Sequence, residues 1–178
     1  MIRPVVSALA VATALLLTGC GEDAPLITGD VVGCNQIDLI ENPSDVIDAK
    51  CLDGSTGVNI AAIKGPAIIN VWGSWCDPCK EEILYFNEYF QSKDSRIQLI
   101  GVDVEEKNFE DGRKFARSQG IIWPNLYDED GSTRKYFGMG VPVTWIIGGD
   151  GEVLFKKIGP IKSAAELRTL SSKYFGME

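Results

Sequence analysis

The sequence contains no histidine. That removes the commonest metal ligand and the side chain that titrates near neutral pH, so a His-ligated zinc site and a Cys–His relay are both excluded. Basic residues are scarce as well: 17 Lys and Arg stand against 25 Asp and Glu, for a net charge of −8. No basic patch is on offer to hold phosphates, so nucleic acid is not an expected partner, and the acidity serves solubility. There is no internal repeat and no low-complexity tract. Long apolar runs are missing too; the stretch that follows Arg3 and ends at Leu17 is too short to span a bilayer. Of five cysteines only Cys76 and Cys79 form a Cys-x-x-Cys, so no second pair completes a four-thiolate zinc site.

What is present is concentrated around that pair. Trp75-Cys76-Asp77-Pro78-Cys79-Lys80 follows the run Ala67-Ile68-Ile69-Asn70-Val71-Trp72. The continuous apolar run predicts a buried strand, and the thiols then open a helix. Cys76 falls at the helix N-terminus, where unpaired N–H groups and the dipole favour its thiolate and bring its pKa below the free value of about 8.5. Cys79 lies one turn on, close enough to attack a mixed disulfide formed by Cys76. A strand that ends in Cys-x-x-Cys and opens a helix resembles the redox element of the thioredoxin fold. The blander reading is an inert bridge or half a zinc site, and the absence of further thiols and of histidine counts against it.

The beginning of the chain reads as a secretory signal: one positive charge, Arg3, then a short apolar stretch. It ends in Leu17-Thr18-Gly19-Cys20, which resembles the lipobox of bacterial lipoproteins. That resemblance implies cleavage before Cys20 and lipidation of Cys20 as the first mature residue. Residues 1–19 are then the signal peptide, 20–30 a polar tether, and 31–178 one domain, long enough for a single core. Losing Arg3 takes the net charge from −8 to −9. With Cys20 lipidated and Cys76 paired with Cys79, Cys34 and Cys51 remain, and in an oxidising compartment they are expected to form a structural disulfide.

The remaining pattern alternates strand and helix. A short edge segment is expected at 58–63 and buried strands at 67–72 and 97–103. Residues 79–91 read as a helix with Ile83, Phe86 and Phe90 on one face, and Pro78 is tolerated in its first turn. A second amphipathic helix covers 109–118 and stops at Gly120. Residues 121–131 read as a loop around Trp123-Pro124, in which Asp128-Glu129-Asp130 is a solvated stretch without calcium-ligand spacing. A short helix at 133–137 closes at Gly138. Strands at 143–147 and 153–158 join through Gly148-Gly149-Asp150-Gly151, a hairpin signal. Ser163 and Glu166 make a capping box for a last helix reaching about Tyr174.

This order predicts a thioredoxin-like α/β fold, three layers around a mixed central sheet. Over residues 38–174 the chain resembles the TlpA/ResA/DsbE branch of extracytoplasmic thioredoxin-like proteins. The resemblance is carried by Val71-Trp72-Gly73-Ser74-Trp75-Cys76-x-x-Cys79-Lys80-Glu81-Glu82 and by Gly140-Val141-Pro142-Val143-Thr144-Trp145-Ile146-Ile147. Residues 105–118 sit where that branch carries an insertion relative to plain thioredoxin. Cys51-Leu52-Asp53-Gly54 is similar to a Cys-Leu-x-Gly element of lipoprotein members with a second disulfide.

The resemblance implies that Pro142 is a cis-proline facing the redox pair, with the Val141 backbone presented to an extended peptide. It implies that Glu82 is the acid behind the second cysteine, where a carboxylate passes protons and raises the thiol pKa. Glu81 and Glu82 are about 100° apart on a helix, so only one faces the site. Asn70 stands where plain thioredoxins carry a buried Asp, which leaves more for Glu82 to do. Trp72 is expected in the core, Trp75 half out of it against the substrate, and Phe109 and Trp123 beside a groove next to the site.

The function expected on these grounds is that of a lipid-anchored thiol–disulfide oxidoreductase on the extracytoplasmic side of the cell membrane. It uses Cys76 as nucleophile, Cys79 as resolving thiol and no cofactor or metal. Its partners are protein thiols and disulfides, with apocytochrome c as the branch's best-known client, and a membrane thiol relay as electron donor. Reduction is the favoured direction, because Asp77-Pro78 lacks the His that strong oxidants place between their cysteines. The alternatives are a disulfide-forming oxidase of the same fold and a Cu(I)-binding chaperone, against which the lack of His counts. A peroxidase lacks its Thr-x-x-Cys context here.

Overall fold

Six consecutive buried residues place β3 (Ala67–Trp72) in the interior of the sheet. A strand apolar without alternation needs cover on both faces, and β3 has it. It pairs in parallel with β4 (Gln98–Val104) and antiparallel with β6 (Val143–Ile147). The computed structural model describes residues 31–138 and 140–177. The expected signal segment, Cys20 and the tether lie outside these residues. The strands β1 (Asp48–Cys51), β2 (Val58–Asn59), β5 (Asn125–Asp128) and β7 (Val153–Ile158) complete a seven-stranded mixed sheet in the order β2-β1-β5-β4-β3-β6-β7.

On one face, α1 (Asp77–Ser92), α2 (Phe109–Ser118) and α4 (Ala164–Phe175) close a core. Ile83 and Phe86 of α1, Phe115 of α2 and Leu167 of α4 meet Ile68 and Trp72 of β3 there. Tyr89 of α1 and Ser171 of α4 share a buried 2.5 Å hydrogen bond that ties the two helices. The opposite face has little helix. Phe137 of the short α3 (Arg134–Phe137) packs there beside Val71, Val102 and Val143. The rest of that layer is irregular chain held by the Cys34–Cys51 disulfide, with a 3₁₀ turn at Cys34–Gln36 and another at Ile60–Ala62.

Local chemistry explains most element ends. Asn108 caps α2 by accepting from the Asp111 N–H, and Gly120 follows with φ +64°, a left-handed turn that suits glycine. Ser163 caps α4 by accepting from the Glu166 N–H. The expected reciprocal half of that box is not made. The Glu166 carboxylate accepts instead from the Lys162 N–H, one residue before the cap, and pairs with Lys157. The edge segment expected at 58–63 is strand only over Val58–Asn59 before it turns into the 3₁₀ piece.

The loop expected at 121–131 is the main correction. Its centre is β5, four buried residues between β1 and β4. Two of its four residues are polar, which hid it from an apolar-run reading, and tertiary partners satisfy both. Asn125 accepts from the Trp72 indole N–H (3.0 Å) and donates to the Trp123 carbonyl (2.7 Å). Asp128 accepts from the N–H groups of Ser132 and Thr133 and from the Thr133 hydroxyl, so it shapes the turn into α3 and is not solvated. Trp123 is buried against Phe90, with ring centroids 5.4 Å apart. β1 went unrecognised because its residues Asp48-Ala49-Lys50-Cys51 are mostly polar or small.

The Cys34–Cys51 bridge closes a chain separation of 17 residues, and both sulfurs are buried beside the Asn125 carbonyl. Replacing both cysteines with Ala is expected to lower the unfolding free energy by roughly 3 kcal/mol while Cys76–Cys79 still forms. Urea unfolding and a free-thiol count measure both; unchanged stability would show that the bridge restrains nothing.

Candidate active site

β3 ends at Trp72, and the chain turns through Gly73, Ser74 and Trp75 into α1. The Cys76 N–H donates back to the Gly73 carbonyl at 3.0 Å. Cys76 is the N-cap of α1: its sulfur accepts from the Cys79 N–H at 3.2 Å, and Pro78 occupies the first turn. Cys76 and Cys79 are joined as a disulfide, with Cα atoms 5.3 Å apart. The helix end thus points its unpaired donors at Cys76, where a thiolate gains most from them. Both sulfurs lie in the core on the α1 face, away from the Cys34–Cys51 bridge on the other face.

The turn before the cysteines is clamped. Glu106, in the loop after β4, accepts from the Ser74 N–H (2.5 Å) and the Ser74 hydroxyl (2.7 Å). Trp75 is 50% exposed, and its indole N–H donates to the Val104 carbonyl at 3.2 Å. A Cβ on Gly73 would lie 2.6 Å from that indole nitrogen, so only glycine lets the ring fold back. A cleft of about 450 Å³ opens beside the ring, lined by Ser74, Trp75, Glu105, Glu106, Lys107 and Asp111. Phe109 lies one element away, edge-on to Tyr127.

Val141–Pro142 is a cis peptide bond. Val71 pairs with Val143 across β3 and β6, so Val141 and Pro142 fall at the end of the sheet where the cysteines sit. Val141 packs against the cluster that contains Cys76 and Cys79.

Glu82, one helical turn beyond Cys79, is fully buried, while Glu81 is exposed. Its Oε1 accepts from the Asn70 side-chain amide (2.7 Å) and its Oε2 from the Ile161 N–H (2.8 Å). Burial pushes the carboxyl up to about 7; the Ile161 N–H, the Asn70 amide and the Lys157 ammonium pull it down, and the Glu166 carboxylate adds to the rise. Asn70, on the strand beneath, therefore serves as a neutral donor to the carboxylate.

Sequence reasoning missed three participants. Ile161 contributes only backbone, which no side-chain pattern reveals. Glu106 looked like one more surface acid. Asp103 carried a readable signal, a carboxylate inside the buried strand β4. Burial first, then the Glu106 carboxylate, holds its carboxyl well above the usual range. Gly112 of α2 gives it room, since a Cβ there would sit 1.7 Å from Asp103 Oδ2.

The titration of Glu82 has a consequence for stability. Unfolded, it titrates at its ordinary value of 4.5; folded, at about 7. Between those values the native state binds the extra proton, so its stabilisation is complete below the lower value and lost as pH rises through the upper. At about 1.4 kcal/mol per pKa unit the decline attributable to Glu82 is roughly 3 kcal/mol. Glu82→Gln is expected to flatten that decline in urea unfolding across this window; parallel curves for the two proteins would contradict the assignment.

With this geometry in view, the relatives are informative. ResA, a thiol-disulfide oxidoreductase of Bacillus thuringiensis (strain Al Hakam), is 30% identical over 105 residues, 57% of this chain and 60% of that protein. CycY, a thiol:disulfide interchange protein of Rhizobium leguminosarum bv. viciae, is 30% identical over 103 residues, 56% of this chain and 54% of its own length. The chain thus spans little more than half the length of these curated relatives. The crystal structure of StoA from Bacillus subtilis matches with a TM-score of 0.59 and 25% identity, covering 69% of this chain and 93% of that one. Residues 42–156, from ahead of β1 into β7, match the AhpC/TSA family, and the chain belongs to that family, on a thioredoxin-like fold.

Proposed function

We propose that this protein is a thiol–disulfide oxidoreductase that reduces disulfides in protein clients. The observation that carries this reading is the Cys76–Cys79 disulfide at the N-terminus of α1, one turn ahead of the buried Glu82. The names of ResA, a thiol-disulfide oxidoreductase, and CycY, a thiol:disulfide interchange protein, support the exchange chemistry, and no Thr-x-x-Cys precedes Cys76, where Gly73 stands in the threonine's place.

In the reduced protein the Cys76 thiolate attacks one sulfur of the client disulfide. A Cys76–client bond forms, the client S–S bond breaks, and the departing client thiolate takes a proton from solvent. Cys79 then gives its proton to the Glu82 carboxylate and attacks Cys76 Sγ. The mixed disulfide breaks, the second client thiolate leaves, and two electrons have passed to the client. A carboxyl titrating at about 7 is suited to accept a proton at neutral pH. The client segment is positioned by the half-exposed Trp75 and by Val141, whose N–H and C=O enter no turn or cap bond among the described residues.

Electrostatics supports the reductive direction. Nothing between the cysteines is cationic, since Asp77 and Pro78 fill the gap. A negative Glu82 raises the cost of ionising Cys79, and a dithiol that ionises reluctantly is a better reductant. Apocytochrome c, which presents its own Cys-x-x-Cys, is the proposed client, and a membrane thiol relay the proposed donor. The reduction potential from glutathione titration should lie nearer roughly −270 mV than roughly −120 mV. Cys79→Ser should trap a client through Cys76, and Cys76→Ser should trap nothing. A potential at the upper value would make the protein an oxidase of the same fold.

We also propose that Cys20 is lipidated and anchors the domain to the extracytoplasmic side of the cell membrane through the tether 20–30. Leu17-Thr18-Gly19-Cys20 supports this, and two or more acyl chains hold where one does not. Mass spectrometry of the mature N-terminus is expected to find acylated Cys20; an unmodified N-terminus downstream of it would overturn the anchor.

A further inference from the structure

Glu82 lies at one end of a polar row. The strand registers set Asn70 of β3 beside Thr144 of β6, and Thr144 beside Lys157 of β7. The row crosses a face otherwise occupied by Ile68, Trp72, Ile146 and Phe155. At its inner end Asn70 donates to Glu82; at its outer end Lys157 pairs with Glu166 of α4. The two carboxylates hold consecutive N–H groups of the loop between β7 and α4, Ile161 on Glu82 and Lys162 on Glu166, each at 2.8 Å. The Lys157 and Glu166 side chains are about a quarter exposed. Asn70 Oδ1 and Thr144 Oγ1 are buried without a hydrogen-bond partner among the described residues. Unpartnered polar atoms in a core cost stability, so the row is poorly explained by packing.

We propose that Lys157 is a positioning residue for the proton step, acting on Glu82 from the outer end of the Asn70–Thr144–Lys157 row and restrained there by its ion pair with Glu166. The proposal rests on the reading of Glu82 as acceptor of the Cys79 proton. In that step the Cys79 S–H bond breaks, the proton joins the Glu82 carboxylate, and the sulfur electron pair forms the bond to Cys76 while the client sulfur leaves with the pair that bound it. Only ionised Glu82 takes the proton, so the field at Glu82 sets the pH at which client release begins.

Among the described residues, each element packed around Glu82 presents a group to it. Its own helix presents Cys79; β3 and β6 present the neutral Asn70 and Thr144; β7 presents Lys157 and α4 presents Glu166. The two charged groups act in opposite senses, Lys157 lowering the Glu82 carboxyl and Glu166 raising it. Loss of the ion pair as a packing contact would disturb Glu82 alike from either side, whereas loss of one charge moves its carboxyl in a sense set by that charge.

The test uses the full chain. Carbon NMR of the Glu82 side-chain carboxyl reads its ionisation, and stopped-flow mixing of the reduced protein with an oxidised Cys-x-x-Cys peptide, following release of the reduced peptide from Cys76, reads the step, both against pH. Lys157→Met is expected to move both midpoints up by on the order of one pH unit. Glu166→Gln is expected to move both down, and Lys157→Arg to leave them near the parent values. No shift of the NMR midpoint, or shifts of the same sign in Lys157→Met and Glu166→Gln, overturns the proposal. A shifted NMR midpoint with an unmoved release profile overturns the reading of Glu82 as proton acceptor, and with it the part given to Lys157 in the step. Glu166→Gln keeps the shape of the side chain and Lys157→Arg keeps the charge, so a midpoint that fails to fall in Glu166→Gln overturns the proposal even where Lys157→Met does not fold.

Discussion

The buried carboxyl of Glu82 is the constraint around which the Cys76–Cys79 end of the molecule is arranged. A carboxylate removed from water needs donors, and this one has two, from Asn70 beneath and from the Ile161 backbone beside it. Those two bonds join three parts of the fold: α1, which carries the cysteines; β3, which delivers the chain to them; and the loop that enters α4. The helix with the Cys-x-x-Cys is thus fastened to the sheet by a titratable group and not by apolar packing alone. The same burial that makes Glu82 costly places its titration near neutral pH, where a proton acceptor is useful.

A second set of polar contacts fixes the turn into the site from the other side. Asn125 holds the Trp72 indole at the end of β3, Glu106 holds Ser74, and the Val104 carbonyl holds Trp75. All three partners come from β4, β5 or the loop after β4, so the parallel strands beside β3 act as a brace for the residues ahead of Cys76. Three buried or half-buried hydrogen-bond sets replace what a longer apolar segment would do, and they leave the face of Trp75 open beside its cleft. Rigid positioning of this kind matters for exchange, which needs sulfur atoms brought into line.

The two faces of the sheet are stabilised by different means. The α1 face has three helices and the larger aromatic core. The opposite face has one short helix and relies on a covalent staple to hold irregular chain over Val71 and Val102. The staple shares its surroundings with Asn125, whose carbonyl meets both sulfurs while its side chain holds Trp72. One residue of β5 therefore touches both the Cys34–Cys51 bridge and the strand that leads to the Cys76–Cys79 bridge.

The sequence by itself determined the elements whose signals are local: β3 by its apolar run, α1 and α2 by spacing and caps, and the hairpin of β6 and β7 by its glycines. It also marked Cys76 and Cys79, because a two-residue spacing at a helix start has few other uses. Glu82 rather than Glu81 came from resemblance, since two adjacent acids on a helix differ only in which one the fold covers. β5 was decided by tertiary structure alone: Asn125 and Asp128 break its apolar pattern, and their burial is tolerated because Trp72, Trp123, Ser132 and Thr133 supply partners from elsewhere. The polar row from Glu82 to Lys157 was equally invisible, for its members lie on four elements far apart in the chain. Sequence reports what a residue is and what stands near it along the chain. Burial and strand register, which turn an ordinary glutamate and lysine into a coupled pair, are properties of the assembled sheet.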